Sequence, residues 1–129
     1  MSNTKQVIKP AGAAPALGPY NHANRIGDML FCAGQIPIDP SDPDAAFPDN
    51  IAAQTERVLE NVKIILEDQG LSFANIVKTT VFMKDLGDFA AMNEVYSRYF
   101  TENFPARSTV QVAALPKDAK VEIEVIAHF

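Results

Sequence analysis

Residues 104–129 read FPARSTVQVAALPKDAKVEIEVIAHF and bring five chemically useful side chains into one short stretch: Arg107, Thr109, Gln111, Glu122 and Glu124. In extended backbone, side chains two apart share a face. Arg107 and Thr109 would then oppose Ser108, Val110 and Val112, while Glu122 and Glu124 would oppose Val121, Ile123 and Val125. The expectation is two strands joined by a Pro-containing turn, a terminal hairpin with one apolar face. Its other face presents a guanidinium and two carboxylates. Such a face can hold a charged small molecule and move a proton, so it is the candidate working surface. A cross-strand ion pair between Arg107 and Glu122 would use the same residues for stability alone.

Positioning that hairpin falls to the rest of the chain. A short extended piece at 6–8 precedes a loop rich in Pro, Gly and Ala that ends at Tyr20. Residues 23–35 read as two strands around Gly27-Asp28, a hairpin turn signal, with Gly34 marking a bulge or a close backbone approach. Residues 36–50 carry Pro37, Pro40, Pro43 and Pro48 among four aspartates. That predicts an exposed loop, the most mobile part of the molecule. A helix capped by Asp49 or Asn50 follows, with Ile51, Val58, Leu59, Val62, Ile65 and Leu66 at helical spacing and Gly70 at its end.

The β-branched and aromatic run at 76–83 predicts a central strand. Asp85 or Asp88 starts a second helix whose buried stripe is Phe89, Met92, Tyr96, Tyr99 and Phe100, broken by Phe104-Pro105. The order strand, strand, helix, strand, helix, strand, strand predicts an α+β fold, a two-layer sandwich with both helices on one face of a sheet of four or more strands. At 129 residues, 47% of them hydrophobic, the chain suits one domain over 1–129. The uncovered sheet face, expected to include Arg107 and Glu122, needs water or a neighbouring subunit over it.

Several chemistries are disfavoured. A formal charge of −5 argues against a general affinity for nucleic acid or anionic lipid. No apolar run nears the roughly 20 residues that span a bilayer, and the N-terminal stretch lacks a signal-peptide core. Cys32, the lone cysteine, sits in an apolar run and reads as a buried strand residue in a reducing, cytoplasmic setting. His22 and His128 are far apart, the 39–49 aspartates lack a calcium-loop pattern, and Gly12, Gly18, Gly27 and Gly34 make no phosphate-binding loop. The expectation is no metal and no nucleotide cofactor, with His22 an exposed loop or interface residue.

Six segments in order carry a family resemblance: GPY at 18–20, AGQIPIDP at 33–40, NVKIILEDQGL at 61–71, IVKTTVFMKDL at 76–86, FPARSTV at 104–110 and LPKDAKVEIEVIA at 115–127. Together they resemble the RidA (YjgF) family across nearly the whole chain. The resemblance implies a chorismate-mutase-like subunit with a mixed sheet, a homotrimer with sites between subunits, and hydrolysis of 2-imino acids such as 2-iminobutanoate and 2-iminopropanoate to 2-keto acids and ammonia. It further implies that Arg107 holds the substrate carboxylate and Glu122 positions the attacking water, with Tyr20 and Asn93 at the pocket. Ala33 stands where the family commonly has serine, and Thr109 where it has cysteine; both bear on which substrate is preferred. The imine carbon is already electrophilic, so positioning and proton transfer suffice and no cofactor is called for. Two other readings are a non-catalytic binder or sensor of small carboxylates and an endoribonuclease-type translation inhibitor. The latter is disfavoured by the acidic composition and the lack of a basic, aromatic-studded strand face.

Overall fold

The apolar spacing after residue 50 does form a helix, and it sets the core. In the computed structural model, which describes residues 4–129, α1 spans Ile51–Asp68 and buries Val58, Leu59, Val62, Ile65 and Leu66. Asn50 caps it by accepting from the Ala53 N–H at 2.8 Å. At the other end Gly70 takes φ 72°, and the Leu71 N–H reaches back to the Leu66 carbonyl at 2.8 Å, a left-handed stop suited to glycine. Fully buried side chains such as Leu59 and Ile65 contribute about 1.5–3 kcal/mol each.

In chain order the strands are β1 (Gln6–Ile8), β2 (Ala23–Ile26), β3 (Met29–Gln35), β4 (Ile76–Met83), β5 (Ala106–Gln111) and β6 (Val121–His128), and α2 spans Phe89–Tyr99 between β4 and β5. They form one six-stranded sheet in the order β1-β2-β3-β6-β4-β5. It is mixed, because β5 runs parallel to β4 whereas the other pairs are antiparallel. The fold is thus the expected α+β sandwich.

The β2–β3 hairpin turns at Gly27, φ 55°. The terminal hairpin does not form. β5 and β6 are separated by β4, which pairs with both. The reason is the connection before β5: a helix between β4 and β5 permits the parallel crossover that a short turn cannot make. The long final strand then returns to fill the gap between β3 and β4.

Register fixes the faces. Thr79, Val81 and Met83 pair on one side with Val125, Ile123 and Val121, and on the other with Arg107, Thr109 and Gln111. The first six are buried in the helix-covered layer. Glu122 and Glu124 lie in the rows of Phe82 and Thr80, alongside Val110 and Ser108, on the open face. Arg107 and Glu122 therefore lie on opposite faces of the sheet, a correction to the shared polar face expected from a hairpin.

Two further expectations change. The 36–50 segment has no regular element but is not simply exposed. Ile36 and Ile38 are buried with Ala14 and Ala119, and the Asn61 side chain donates to their carbonyls at 3.1 and 2.8 Å. In α2 the buried residues are Met92, Val95 and Tyr96; Phe89 is 36% exposed at the helix start.

Candidate functional site

Arg107 projects from the edge strand β5 toward α2. Its Nη1 donates to Asn93 Oδ1 at 2.6 Å. The guanidinium carbon lies 4.7 Å from the Tyr96 ring centroid and 5.4 Å from that of Phe89. Stacking on aromatic rings orients a guanidinium while leaving part of its fork free for a planar anion. Tyr96 is itself fixed by a 2.8 Å hydrogen bond to the buried Thr79 hydroxyl, and burial holds its phenol above the usual range. Asn93, Tyr96, Ser97, Phe100, Phe104, Pro105 and Arg107 line a cavity of about 480 Å³. Phe104 is 71% exposed at its mouth.

Glu122 serves a second cavity, of about 470 Å³, lined by Leu17, Tyr20, Ala33, Gly34, Ile36, Pro116 and Glu122. Its carboxyl is pushed above the usual carboxylate range, first by burial and then by the neighbouring Glu124 charge. Glu122 lies against Gly34, where the β3–β6 register slips between Cys32 and Gln35; the bulge and close approach expected at that glycine coincide. Tyr20 tops the cavity, its hydroxyl accepting from the Leu17 N–H at 3.1 Å.

The loop carrying Tyr20 is fastened through His22, whose ring nitrogens meet the Ala14 carbonyl and, at 3.3 Å, the Gln35 side chain. His22 is thus half-buried and hydrogen-bonded rather than an exposed loop residue. The Pro116–Asp118 turn closes the far side, tied by the Lys84–Asp118 ion pair at 2.5 Å.

Of the sequence-predicted residues, the structure brings Arg107 together with Asn93, and Glu122 with Tyr20 and Ala33. It does not join the two groups within one chain. Thr109 shares the Arg107 face but lines neither cavity. Its Oγ1 is buried with no hydrogen-bond partner among the described residues. Phe89, assigned by periodicity to the core, stands beside the arginine instead. The aromatic bed under Arg107 has no local sequence signal, because α2 and β5 meet only through the crossover. Cys32 is buried, its thiol pushed up to about 12 by desolvation, which leaves it inert as a nucleophile. Among the described residues no three His, Cys, Asp or Glu side chains cluster to hold a metal, and no helix is long and apolar enough to cross a membrane.

Together these features define an α+β sandwich with one cavity beside Arg107 at its edge strand and a second beside Glu122 on its open face. The chain matches the family described as endoribonuclease L-PSP over residues 11–129, and it belongs to that family, the one its motifs resemble as RidA. It is 52% identical over 124 residues to a RutC family protein of Pyrococcus abyssi, covering 96% of this chain and 97% of that one. It is 50% identical over 125 residues to the 2-iminobutanoate/2-iminopropanoate deaminase of Salmonella typhimurium, covering 95% and 96%. The crystal structure of Escherichia coli TdcF with bound serine superposes with a TM-score of 0.90 at 45% identity, covering 96% and 98%.

Proposed function

We propose that the protein hydrolyses 2-imino acids, among them 2-iminobutanoate and 2-iminopropanoate, to 2-keto acids and ammonia at sites completed between subunits of a homotrimer. The observation that carries this reading is the separation of Arg107 and Glu122 onto opposite sheet faces, each in its own cavity beside residues of the family pattern. Neither cavity holds both a carboxylate clamp and a proton acceptor, whereas an edge strand of one copy laid against the open face of the next would supply both.

In such a composite site the Arg107 fork binds the substrate carboxylate and Asn93 keeps the fork turned outward. Glu122 orients water toward the imine carbon, takes its proton, and returns a proton to the departing nitrogen. A carboxyl held above its ordinary range suits that two-way traffic better than a free glutamate. Tyr20 and Ala33 shape the wall, and Thr109 contributes through its backbone and its bulk. The chemistry uses no cofactor, and the reading sets the enzyme in the cytoplasm with no nucleic-acid partner. The serine bound to TdcF is in keeping with a pocket made for a small amino-acid-like carboxylate. A pure binder would hold such a molecule equally well, and turnover separates the two.

The test generates 2-iminobutanoate in situ and follows its decay. Wild type should accelerate the decay, and Arg107→Ala should return it to the uncatalysed rate. No acceleration by wild type with either imino acid would overturn the proposal.

A further inference from the structure

Glu122 rests on an open piece of backbone. A Cβ built on Gly34 would lie 2.0 Å from Glu122 Oε2, 2.8 Å from Cδ and 3.0 Å from Cγ, all well inside van der Waals contact. The glutamate side chain therefore occupies the space that any residue other than glycine would fill. Gly34 is not among the residues with positive φ, so its backbone does not itself demand glycine. The requirement comes from the carboxylate above it. That spot lies in the bulged stretch of β3, where pairing with β6 slips between Cys32 and Gln35, and bulges re-aim side chains next to working sites.

We infer that Gly34 is a positioning residue: the missing side chain and the bulge make a platform on which the Glu122 carboxylate lies flat and half-buried, aimed into the cavity it shares with Tyr20 and Ala33. The inference rests on the proposed reaction for its catalytic consequence, but not for its structural one. Glu122 is the flexible partner, so a methyl group at position 34 lifts the carboxylate toward solvent and leaves the sheet in place. A displacement of about 1 Å at a reacting group can cost on the order of a hundredfold in rate, whereas moving an open-face side chain disturbs little packing.

The test is Gly34→Ala with three readouts. The first is turnover of imine generated in situ: kcat should fall on the order of a hundredfold with KM nearly unchanged, because the Arg107 clamp is untouched. The second is the thermal midpoint, which should stay close to that of wild type. The third is the titration of the Glu122 carboxyl by carbon-13 NMR, which needs no activity. It should move down toward the ordinary range as the group gains water, because burial is the larger cause of its elevation and the Glu124 charge the smaller. A double variant, Gly34→Ala with Glu122→Asp, gives the shorter side chain room, and its rate loss should be smaller than the product of the two single losses.

An unchanged Glu122 titration in Gly34→Ala, or undiminished kcat with the carboxyl displaced, would overturn the inference. So would strict additivity in the double variant. Should wild type itself fail to hydrolyse imines, the functional reading falls, and the Glu122 titration alone decides whether Gly34 is its platform.

Discussion

In the proposed site Arg107 and Glu122 divide the work, and their surroundings differ accordingly. The arginine is exposed but immobilised by Asn93 and two aromatic rings; the glutamate is half-buried on a glycine. Holding Glu122 above the ordinary carboxylate range has a cost for folding. Its folded-state value exceeds the unfolded one, so its favourable contribution is complete below the ordinary carboxylate range and is lost as pH rises through the folded value. Glu122→Gln should therefore raise the melting temperature at neutral pH, and the gain should vanish near pH ~4, below the ordinary value. The same variant should cut turnover by about 10²–10⁴-fold while retaining affinity for a small 2-keto acid. Melting curves across pH and a keto-acid titration check the two halves, and equal loss of binding and turnover would contradict the assigned roles.

At the scale of elements, the segments legible in the sequence were those with a clear burial contrast. Along β6, Val121, Ile123 and Val125 are buried while Glu122 and Glu124 are not, and the alternation assigns its faces correctly. Along β5 every residue is exposed apart from the partly buried Thr109. Its alternation therefore carried no sign, and Arg107 fell on the face opposite to the one expected. Pairing was illegible for a related reason. A hairpin and a strand inserted between two others share the same local pattern, and the β4–α2–β5 crossover that decides between them is a long-range choice. The family motifs nevertheless marked Arg107, Asn93, Tyr20 and Glu122, which the structure sorts into two groups.

The proline-rich loop taught a similar lesson. Its turn residues were evident, but not the buried Asn61 amide that holds Ile36 and Ile38 by their carbonyls. Asn61→Ala would take the side-chain donor from both carbonyls, of which Ile36 keeps the Ile38 N–H at 2.8 Å, and the loss at Ile38 should cost about 1–3 kcal/mol. Denaturant unfolding would read that loss, and the Glu122 cavity, which Ile36 lines, should loosen with it.

The whole molecule is a sheet with one finished face and one unfinished one. Helices cover the first; the second presents Phe31, exposed by 45%, and Val110, exposed by 42%, among the carboxylates. Beside it runs β5, an edge strand with one side unpaired, which a soluble protein normally protects. Self-association would resolve both features and would bring the Arg107 half of one copy against the Glu122 half of another.

Subunit mixing tests the proposed composite site. Arg107→Ala and Glu122→Gln should each be nearly inactive alone. Dissociated, mixed in equal amounts and reassembled, they should regain about a quarter of wild-type activity, because random assembly gives one site in four an intact arginine and an intact glutamate from different copies. A mixture as inactive as its components, with exchange of subunits verified, would mean that Arg107 and Glu122 do not act together across a subunit boundary.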